Sequence, residues 1–220
     1  MQYMKDPATK IAEYLLQIKA IKLSPKQPFT WASGLKSPIY SDNRLSLSYP
    51  EIRTDIKIAL AELVQTKFPN AKAIVGVATA GIAPGALVAD ELKLPFGYVR
   101  SEAKKHGMGK QVEGDLNPGD KVVVIEDLVS TGKSSLQAIE ALREFGVEVL
   151  GLACIFTYGF TTAKQNFEAA NCPYEYLSNY EALVKVAAEK GYISLDDKAA
   201  LSDWASNPEQ WSMKFDAQSK

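Results

Sequence analysis

Four short, nearly continuous apolar runs constrain the fold of this chain more than any other feature. The runs are AIVGV (73–77), FGYV (96–99), KVVVIE (121–126) and VEVLGLACIF (147–156). Helical patterns such as GALVADELKL and SSLQAIEALREF separate most of them. Such strands, alternating with helices, predict an α/β fold with a central, mostly parallel sheet covered by helices on both faces. Right-handed crossovers then bring the strand-to-helix turns to one edge, where we expect ligands to bind.

Other segments predict the elements before and between these runs. A first helix is expected over residues 7–21, with Asp6 as N-cap and Pro7 in the first turn. A second helix is expected from about Pro50, where Ser48 and Glu51 have capping-box spacing. The interval 100–118 is polar, Gly-rich and without helical period, which is typical of a lid or a disordered segment.

Composition excludes several classes of function. The 220 residues are 46% hydrophobic and carry a net charge of −1 without a long basic run, which argues against general nucleic-acid binding. The N-terminus lacks the apolar core of a signal peptide, and no window approaches the ~18 apolar residues of a membrane span. Cys154 and Cys172 are too far apart for a CxxC motif, and Cys154 lies in an apolar run that predicts a buried thiol. We therefore expect a soluble, cytoplasmic protein with no nucleic-acid or membrane partner.

The segment KVVVIEDLVSTGKSS (121–135) joins the end of a nucleotide-binding loop to an acidic strand end. A Walker A loop requires G-x-x-x-x-G-K-[ST], but Asp127 occupies the position of the first glycine. A carboxylate there would repel polyphosphate. A second candidate, GMGKQ (107–111), lacks the hydroxyl residue after lysine. The pattern therefore excludes a P-loop NTPase.

The same segment suits a phosphate monoester that carries a vicinal diol. Residues 130–134, here called the phosphate loop, open a helix whose first amides and hydroxyl groups suit one phosphate. Glu126 and Asp127 beside that phosphate would accept hydrogen bonds from ribose hydroxyls. The alternative is a generic strand-turn-helix junction in which both acids only cap the helix.

VVVIEDLVSTGKSS also resembles the phosphoribosyl-pyrophosphate (PRPP) signature of the type I phosphoribosyltransferases: apolar residues, two acids, then a Thr/Ser-Gly loop. The resemblance implies this family's fold, with Glu126 and Asp127 on the ribose hydroxyls and the phosphate loop on the 5-phosphate. GVATAGIAPGA resembles the loop that meets pyrophosphate through backbone groups. The PRPP contacts implied by these two segments are Thr79, Ala80, Gly81, Glu126, Asp127, Leu128, Val129, Ser130, Thr131, Gly132, Lys133 and Ser134.

The lid, RSEAKKHGMGKQVEGD (100–115), carries cations among glycines, which suits a mobile loop that closes over pyrophosphate. The alternative is a solvated loop whose charges serve solubility. Its R-x-x-x-K-x-H-G spacing resembles the catalytic loop of the orotate phosphoribosyltransferases. The resemblance implies that Arg100, Lys104 and His106 contact pyrophosphate, with Lys104 as the main catalytic residue. It also implies a homodimer in which the lid reaches the neighbouring site. Ser101 stands where many members have lysine, and Lys105 is a candidate replacement.

FTWASGLKSPIYSDNR (29–44) resembles the hood that covers the base in these enzymes. The implied orotate contacts are Ser130, Lys36 and Arg44, although Arg44 would equally suit a surface ion pair. Some family members carry lysines at the positions of Ala32 and Ala80. Others carry an arginine after the fourth strand, where this chain has Phe156-Thr157-Tyr158. We expect one domain over residues 1–220, with an N-terminal helix and hood (1–49), an α/β core (50–178) and C-terminal helices (179–220).

The resemblance implies Mg²⁺-dependent transfer of the phosphoribosyl group from PRPP to orotate. The metal would be held mainly by PRPP oxygens and water, with no direct ligand from the chain. Positive charge should develop on the sugar at its anomeric carbon, so no residue need act as a nucleophile. Two alternatives remain open: a phosphoribosyltransferase for a purine or another base, and a regulator that senses PRPP without catalysis.

Overall fold

A six-stranded sheet forms the centre of the computed structural model, which describes residues 6–31, 33–100 and 111–218. The strands of this sheet are β5 (Ala73–Val77), β6 (Phe96–Val99), β7 (Val112–Glu113), β8 (Lys121–Val129), β9 (Glu148–Thr157) and β10 (Tyr174–Asn179). Their order is β10-β9-β8-β5-β6-β7, and every neighbouring pair is parallel except β6 with β7. The expected α/β fold with a mostly parallel sheet is confirmed.

Helices cover both faces of this sheet, as the apolar strands require. They are α1 (Pro7–Gln17), α2 (Pro50–Lys67), α3 (Ile82–Leu92), α4 (Lys133–Phe145), α5 (Thr161–Ala169), α6 (Tyr180–Glu189), α7 (Leu195–Ser206) and α8 (Pro208–Gln218). Alternate β8 residues separate two apolar clusters: Val123 and Ile125 pack with α1, α2, α3 and α6, while Val122 and Val124 pack with α4 and α5. All four are fully buried. Period-two alternation within a continuous apolar run thus builds a core on each side.

Short elements between α1 and α2 form the hood and its support. Strands β1 (Ile21–Leu23) and β4 (Ile39–Ser41) pair with each other, as do β2 (Phe29–Thr30) and β3 (Lys36–Ser37). A 3-10 helix, Asn43–Ser48, leads into α2. β2 and β3 therefore form a short antiparallel ribbon on either side of the turn at residues 33–34.

The predicted ends of the elements are partly wrong. Asp6 caps α1 as expected, because its carboxylate accepts from the Thr9 amide at 3.2 Å, but α1 ends at Gln17 and Lys19 has a positive φ of 56°. The N-cap of α2 is Tyr49 without a side-chain bond, so the expected Ser48 capping box does not form. The 3-10 helix extends to Ser48 and prevents it from taking the capping position.

Two strands of the central sheet are absent from the sequence-based expectation. β7 lies within the interval 100–118 and pairs antiparallel with β6, but two residues are too few to show an alternating pattern. β10 reads YEYLSN, whose polar residues hide an edge strand that pairs with β9. No helix in the described part of the chain is both long and apolar enough to cross a membrane.

Candidate active site

The carboxyl ends of β5 and β8 lie side by side, and a pocket of about 520 Å³ opens above them. The pocket brings together the acidic pair, the phosphate loop, and Thr79 and Ala80 of the loop after β5, which were predicted from separate motifs. Its lining is Val77, Ala78, Thr79, Ala80, Glu126, Asp127, Leu128, Ser130, Thr131, Gly132, Lys133, Ser134, Ser135 and Gln137. Three described residues among the predicted PRPP contacts do not line it: Arg100 lies beyond the end of β6, Val129 is fully buried in β8, and Gly81 is buried within the loop after β5.

The phosphate loop turns sharply from β8 into α4. Gly132 is the N-cap residue with a φ of +78°, and a Cβ there would lie 2.5 Å from the Phe167 ring. Only glycine meets both conditions without strain. Asn166 Nδ2 donates to the Thr131 carbonyl at 3.0 Å, which holds the loop against α5. The loop therefore presents the first-turn amides of α4, which have no acceptor within the helix, to the pocket.

Glu126 and Asp127 form a largely buried carboxyl pair at the end of β8. Glu126 Oε1 accepts from the Asp127 amide at 3.0 Å, and its Oε2 accepts from Ser135 Oγ at 3.1 Å. Burial, followed by the charge of Asp127, raises the pKa of Glu126 to about 8. Burial also raises the pKa of Asp127, although a hydrogen bond with Glu126 and the charge of Arg44 oppose this. The raised pKa of Glu126 favours its protonated form near neutral pH, in which it can donate a hydrogen bond as well as accept one.

The loop of residues 79–81, here called the pyrophosphate loop, joins β5 to α3 in very little space. The Ala78–Thr79 peptide bond is cis, and the Gly81 amide donates to the Val77 carbonyl at 2.8 Å. A Cβ on Gly81 would contact the Ile125 carbonyl and lie 2.8 Å from the Val77 nitrogen. Glycine here lets the loop lie directly against β8, which leaves the exposed Thr79 and half-buried Ala80 facing the pocket.

Two hydrogen bonds join Arg100, the first residue of the lid, to Gln111. The Arg100 amide donates to the Gln111 carbonyl at 3.0 Å, and Gln111 Nε2 donates to the Arg100 carbonyl at 2.8 Å. Arg100 Nη1 also lies 3.6 Å from Glu113 Oε1. Arg100 and Gln111 are therefore held together where β6 ends and β7 begins. Lys104, Lys105 and His106, which were predicted to contact pyrophosphate, lie outside the described residues.

Lys36 and Arg44, two of the residues predicted for the base, each bond to another residue of the hood. Lys36 Nζ donates to Thr30 Oγ1 at 2.9 Å across β2 and β3. Arg44 makes two bonds to Asp42, from Nε at 2.6 Å and from Nη2 at 3.0 Å. This is the ion pair that the sequence left open, but it is exposed on the arginine side, and Arg44 still lines a small pocket with Asp127.

Aromatic side chains pack at the end of β9, the fourth apolar run, where some family members carry an arginine. Tyr158, 6% exposed, stacks on Phe160 with ring centroids 5.4 Å apart and meets Phe156 edge-on at 5.8 Å. Thr157 Oγ1 donates to the Val129 carbonyl at 3.1 Å, which ties this strand end to β8. The side chains of residues 156–158 are therefore occupied in packing and in a bond to β8.

Two residues at the site were missed by sequence reasoning. Ser135, immediately after the phosphate loop, binds Glu126. Asn43, 1% exposed in the 3-10 helix, donates from Nδ2 to the Asp127 carbonyl at 2.8 Å. Ser135 could have been found by extending the motif by one residue, whereas no local pattern connects Asn43 to a residue 84 positions away.

Comparison with known proteins agrees with this geometry. Residues 47–189 match the model of the phosphoribosyl transferase domain. Orotate phosphoribosyltransferase of Porphyromonas gingivalis is 53% identical over 208 residues, which cover 94% of this chain and 99% of that protein.

Two solved structures share the fold. Orotate phosphoribosyltransferase from Aeropyrum pernix aligns with a TM-score of 0.72 and 29% identity, covering 84% of this chain and 99% of that one. UMP synthase of Leishmania donovani aligns with a TM-score of 0.76 and 25% identity over 90% of this chain. This chain spans only 42% of the length of that synthase.

Proposed function

Because this chain belongs to the phosphoribosyltransferase family, among the orotate phosphoribosyltransferases, we propose that it transfers the 5-phosphoribosyl group of PRPP to orotate. The products are orotidine 5′-monophosphate, a precursor of UMP, and pyrophosphate. The observation that carries this proposal is the pocket in which an acidic pair, a helix N-terminus and the pyrophosphate loop meet. These groups match, in order, the ribose diol, the 5-phosphate and the leaving group.

The partly protonated carboxyl pair suits a sugar rather than a phosphate. Glu126, with a pKa of about 8, is mostly neutral at pH 7 and can donate to one ribose hydroxyl. The carboxylate of Asp127 accepts from the neighbouring hydroxyl. Hydrogen bonds of this kind fix the ribose ring, and with it the anomeric carbon, relative to the other groups.

Departure of pyrophosphate requires compensation of its growing negative charge. Arg100, at the start of the lid, is the one lid residue predicted to contact pyrophosphate that lies within the described part of the chain. We propose that Lys104, Lys105 and His106 join it when the lid closes, with Lys104 as the main catalytic residue. Fixed cations at the leaving group lower the barrier, because they stabilise the charge that develops in the transition state. The orotate nitrogen then attacks the anomeric carbon without a covalent enzyme intermediate.

Magnesium fits this site through the substrate. Among the described residues, no group of three or more His, Cys, Asp or Glu side chains could hold a metal ion. Mg²⁺ prefers oxygen ligands and keeps several waters, so PRPP oxygens and water would hold it. When bound, it neutralises charge on the pyrophosphate portion. We expect EDTA to abolish turnover and excess Mg²⁺ to restore it.

The base would lie between Ser130 and the hood. Ser130 lines both the PRPP pocket and a second pocket of about 370 Å³ on the hood side. Lys36 and Arg44 are our candidates for the anionic groups of orotate. Arg44 would exchange part of its bond to Asp42 for the substrate, which its exposure permits.

Turnover with a panel of bases tests this function. The protein is incubated with PRPP, Mg²⁺ and either orotate, uracil, adenine, hypoxanthine or guanine, and base consumption is followed in the ultraviolet. We expect consumption of orotate alone, together with release of pyrophosphate. Preferred consumption of a purine would overturn the assignment of the base, and PRPP binding without any turnover would indicate a sensor.

A further inference from the structure

The hood has little internal structure to hold it in place. Its ribbon consists of two strands of two residues each, with Phe29 paired to Ser37 and Thr30 to Lys36. An isolated two-stranded ribbon is marginal in water. Contacts from outside the hood must therefore fix its position over the site.

Helix α8 supplies one such contact. Ser212 Oγ accepts from the Lys36 amide at 2.9 Å, across 176 positions of sequence. Ser212 is 4% exposed, so water competes little for this bond. The bond acts on the backbone of the residue whose ammonium group is a candidate for binding the base.

Helix α7 supplies a second contact through Trp204. This fully buried ring meets the hood residue Trp31 edge-on at 5.8 Å, and it packs against Tyr158 at 5.8 Å and Phe160 at 5.5 Å. Its Nε1 has no hydrogen-bond partner within the described chain, so the ring serves by shape and area. Trp204 thus fills the space between the hood and the end of β9.

The turn between α7 and α8 also reaches the site itself. Together with Trp31 of the hood and Ser130 and Thr131 of the phosphate loop, it lines the pocket of about 370 Å³. The C-terminal residues of this lining are Ala205, Ser206, Asn207, Pro208 and Glu209. The C-terminal helices therefore touch both the hood and the space beside the predicted base contact.

We infer that α7 and α8 position the hood for base binding, with Ser212 and Trp204 as the positioning residues. This inference rests on the proposed function, because it concerns the base side of the same site. Ser212 acts through Lys36 and does not itself contact substrate. The C-terminal helices thereby set the affinity for the base separately from the affinity for PRPP, whose pocket lies on β5, β8 and α4.

Ser212→Ala tests this inference. We expect the KM for orotate to rise about three- to tenfold, the effect of losing one buried hydrogen bond. The KM for PRPP should stay within about twofold, because the PRPP pocket is not altered. The Lys36 amide should lose at least about tenfold of its protection from hydrogen exchange. Ser212→Thr, which keeps the hydroxyl, should restore much of both values.

Ser202→Ala is the matched control, since this exposed serine on α7 bonds only locally, to the Lys198 carbonyl at 3.0 Å. It should change neither constant.

An unchanged KM for orotate in Ser212→Ala, or equal rises for both substrates, would overturn the inference. If Ser212→Ala does not fold, Ser212→Cys, with its weaker acceptor, should give a smaller rise for orotate alone, and an equal rise for both substrates contradicts the inference. Lack of orotate turnover by the unmodified protein would contradict the proposed function instead, and the exchange measurement still decides whether Ser212 holds the hood.

Discussion

At the scale of single residues, the carboxyl pair at the end of β8 links function to stability. Glu126 is 5% exposed, and its ionised form loses hydration that Ser135 and one backbone amide only partly replace. A buried acid with a raised pKa opposes folding wherever the unfolded chain would be ionised. The chain therefore keeps a locally unfavourable group at the place where the ribose is expected to bind, as functional sites often do.

Glu126→Gln should stabilise the empty protein at alkaline pH. The pKa of Glu126 rises from an ordinary value of 4.5 to about 8, so between these values the folded chain binds a proton that the unfolded chain has lost. The free energy of unfolding of the wild type should therefore fall as pH rises through this window. The neutral glutamine removes that dependence, and we expect a gain of about 2–4 kcal/mol near pH 9 and little near pH 5.

Urea unfolding of both proteins across this pH range measures the difference. Glu140→Gln, the same change at an exposed position of α4, is the control and should follow the wild type. Stability of the wild type that rises with pH through the same window would contradict the assignment.

Lys104→Ala addresses the expected catalytic cation, whose role rests on the resemblance of the lid. A group that acts mainly in the transition state lowers kcat more than ground-state binding when it is removed. We expect kcat to fall by about 10²–10³-fold, with the Kd for PRPP changing less than about tenfold. Stopped-flow turnover and calorimetric titration measure the two quantities. Lys72→Ala, at an exposed position before β5, should leave both unchanged, whereas equal losses in Lys104→Ala would contradict a transition-state role.

At the scale of elements, the 3-10 helix connects the hood to the strand that carries the acids. Asn43 is buried, and its amide holds the Asp127 carbonyl at 2.8 Å. Ser41 Oγ donates to Asn43 Oδ1 at 3.2 Å and orients that amide. The position of Asp127 therefore depends on an element that lies far from it in sequence.

Asn43→Ala should weaken both the fold and PRPP binding. The buried carbonyl of Asp127 loses its donor, so we expect the free energy of unfolding to fall by about 1–3 kcal/mol. The KM for PRPP should rise, because the acidic pair loses one of its fixed points. Thermal unfolding and initial-rate kinetics check both effects. The control is Asn117→Ala, which changes an exposed residue before β8. Its backbone amide, rather than its side chain, bonds to Asp120, so neither quantity should change. A normal KM for PRPP in Asn43→Ala would show that β8 alone holds Asp127.

At the scale of the whole molecule, we propose a homodimer that shares the lid between sites. Mixing Lys104→Ala with Asp127→Ala subunits would then produce heterodimers in which one site has an intact lid and an intact acidic pair. Random exchange should restore about a quarter of the wild-type activity, since half of the dimers carry one working site. Turnover after subunit exchange, with heterodimers verified by mass, measures this recovery.

Two lid variants provide the matched control for this mixture. Lys104→Ala mixed with His106→Ala places one defective lid at every site of a heterodimer, so no recovery is expected. Failure of the first mixture despite verified heterodimers would show that each lid serves its own subunit.

Strand positions could be predicted closely because burial on both faces leaves a continuous apolar signal. β5 and β6 have the expected bounds, whereas β8 continues three residues beyond the predicted 121–126. Glu126 and Asp127 interrupt the apolar pattern, but Leu128 and Val129 still pair with β9. A polar pair that we propose to bind the ribose thus obscured the true end of the strand.

The sequence by itself determined four of the six strands of the sheet, the acidic pair and the loop that follows it, because these depend on residues that are adjacent in the chain. The tertiary structure alone decided which residues distant in sequence contact each other. The Asn43 side chain bonds to the Asp127 carbonyl, Ser212 bonds to the Lys36 amide, and Trp204 packs against Trp31. It also decided that Arg44 pairs with Asp42. Contacts across 84 or 176 positions arise from packing of whole elements, and a local pattern carries no record of them.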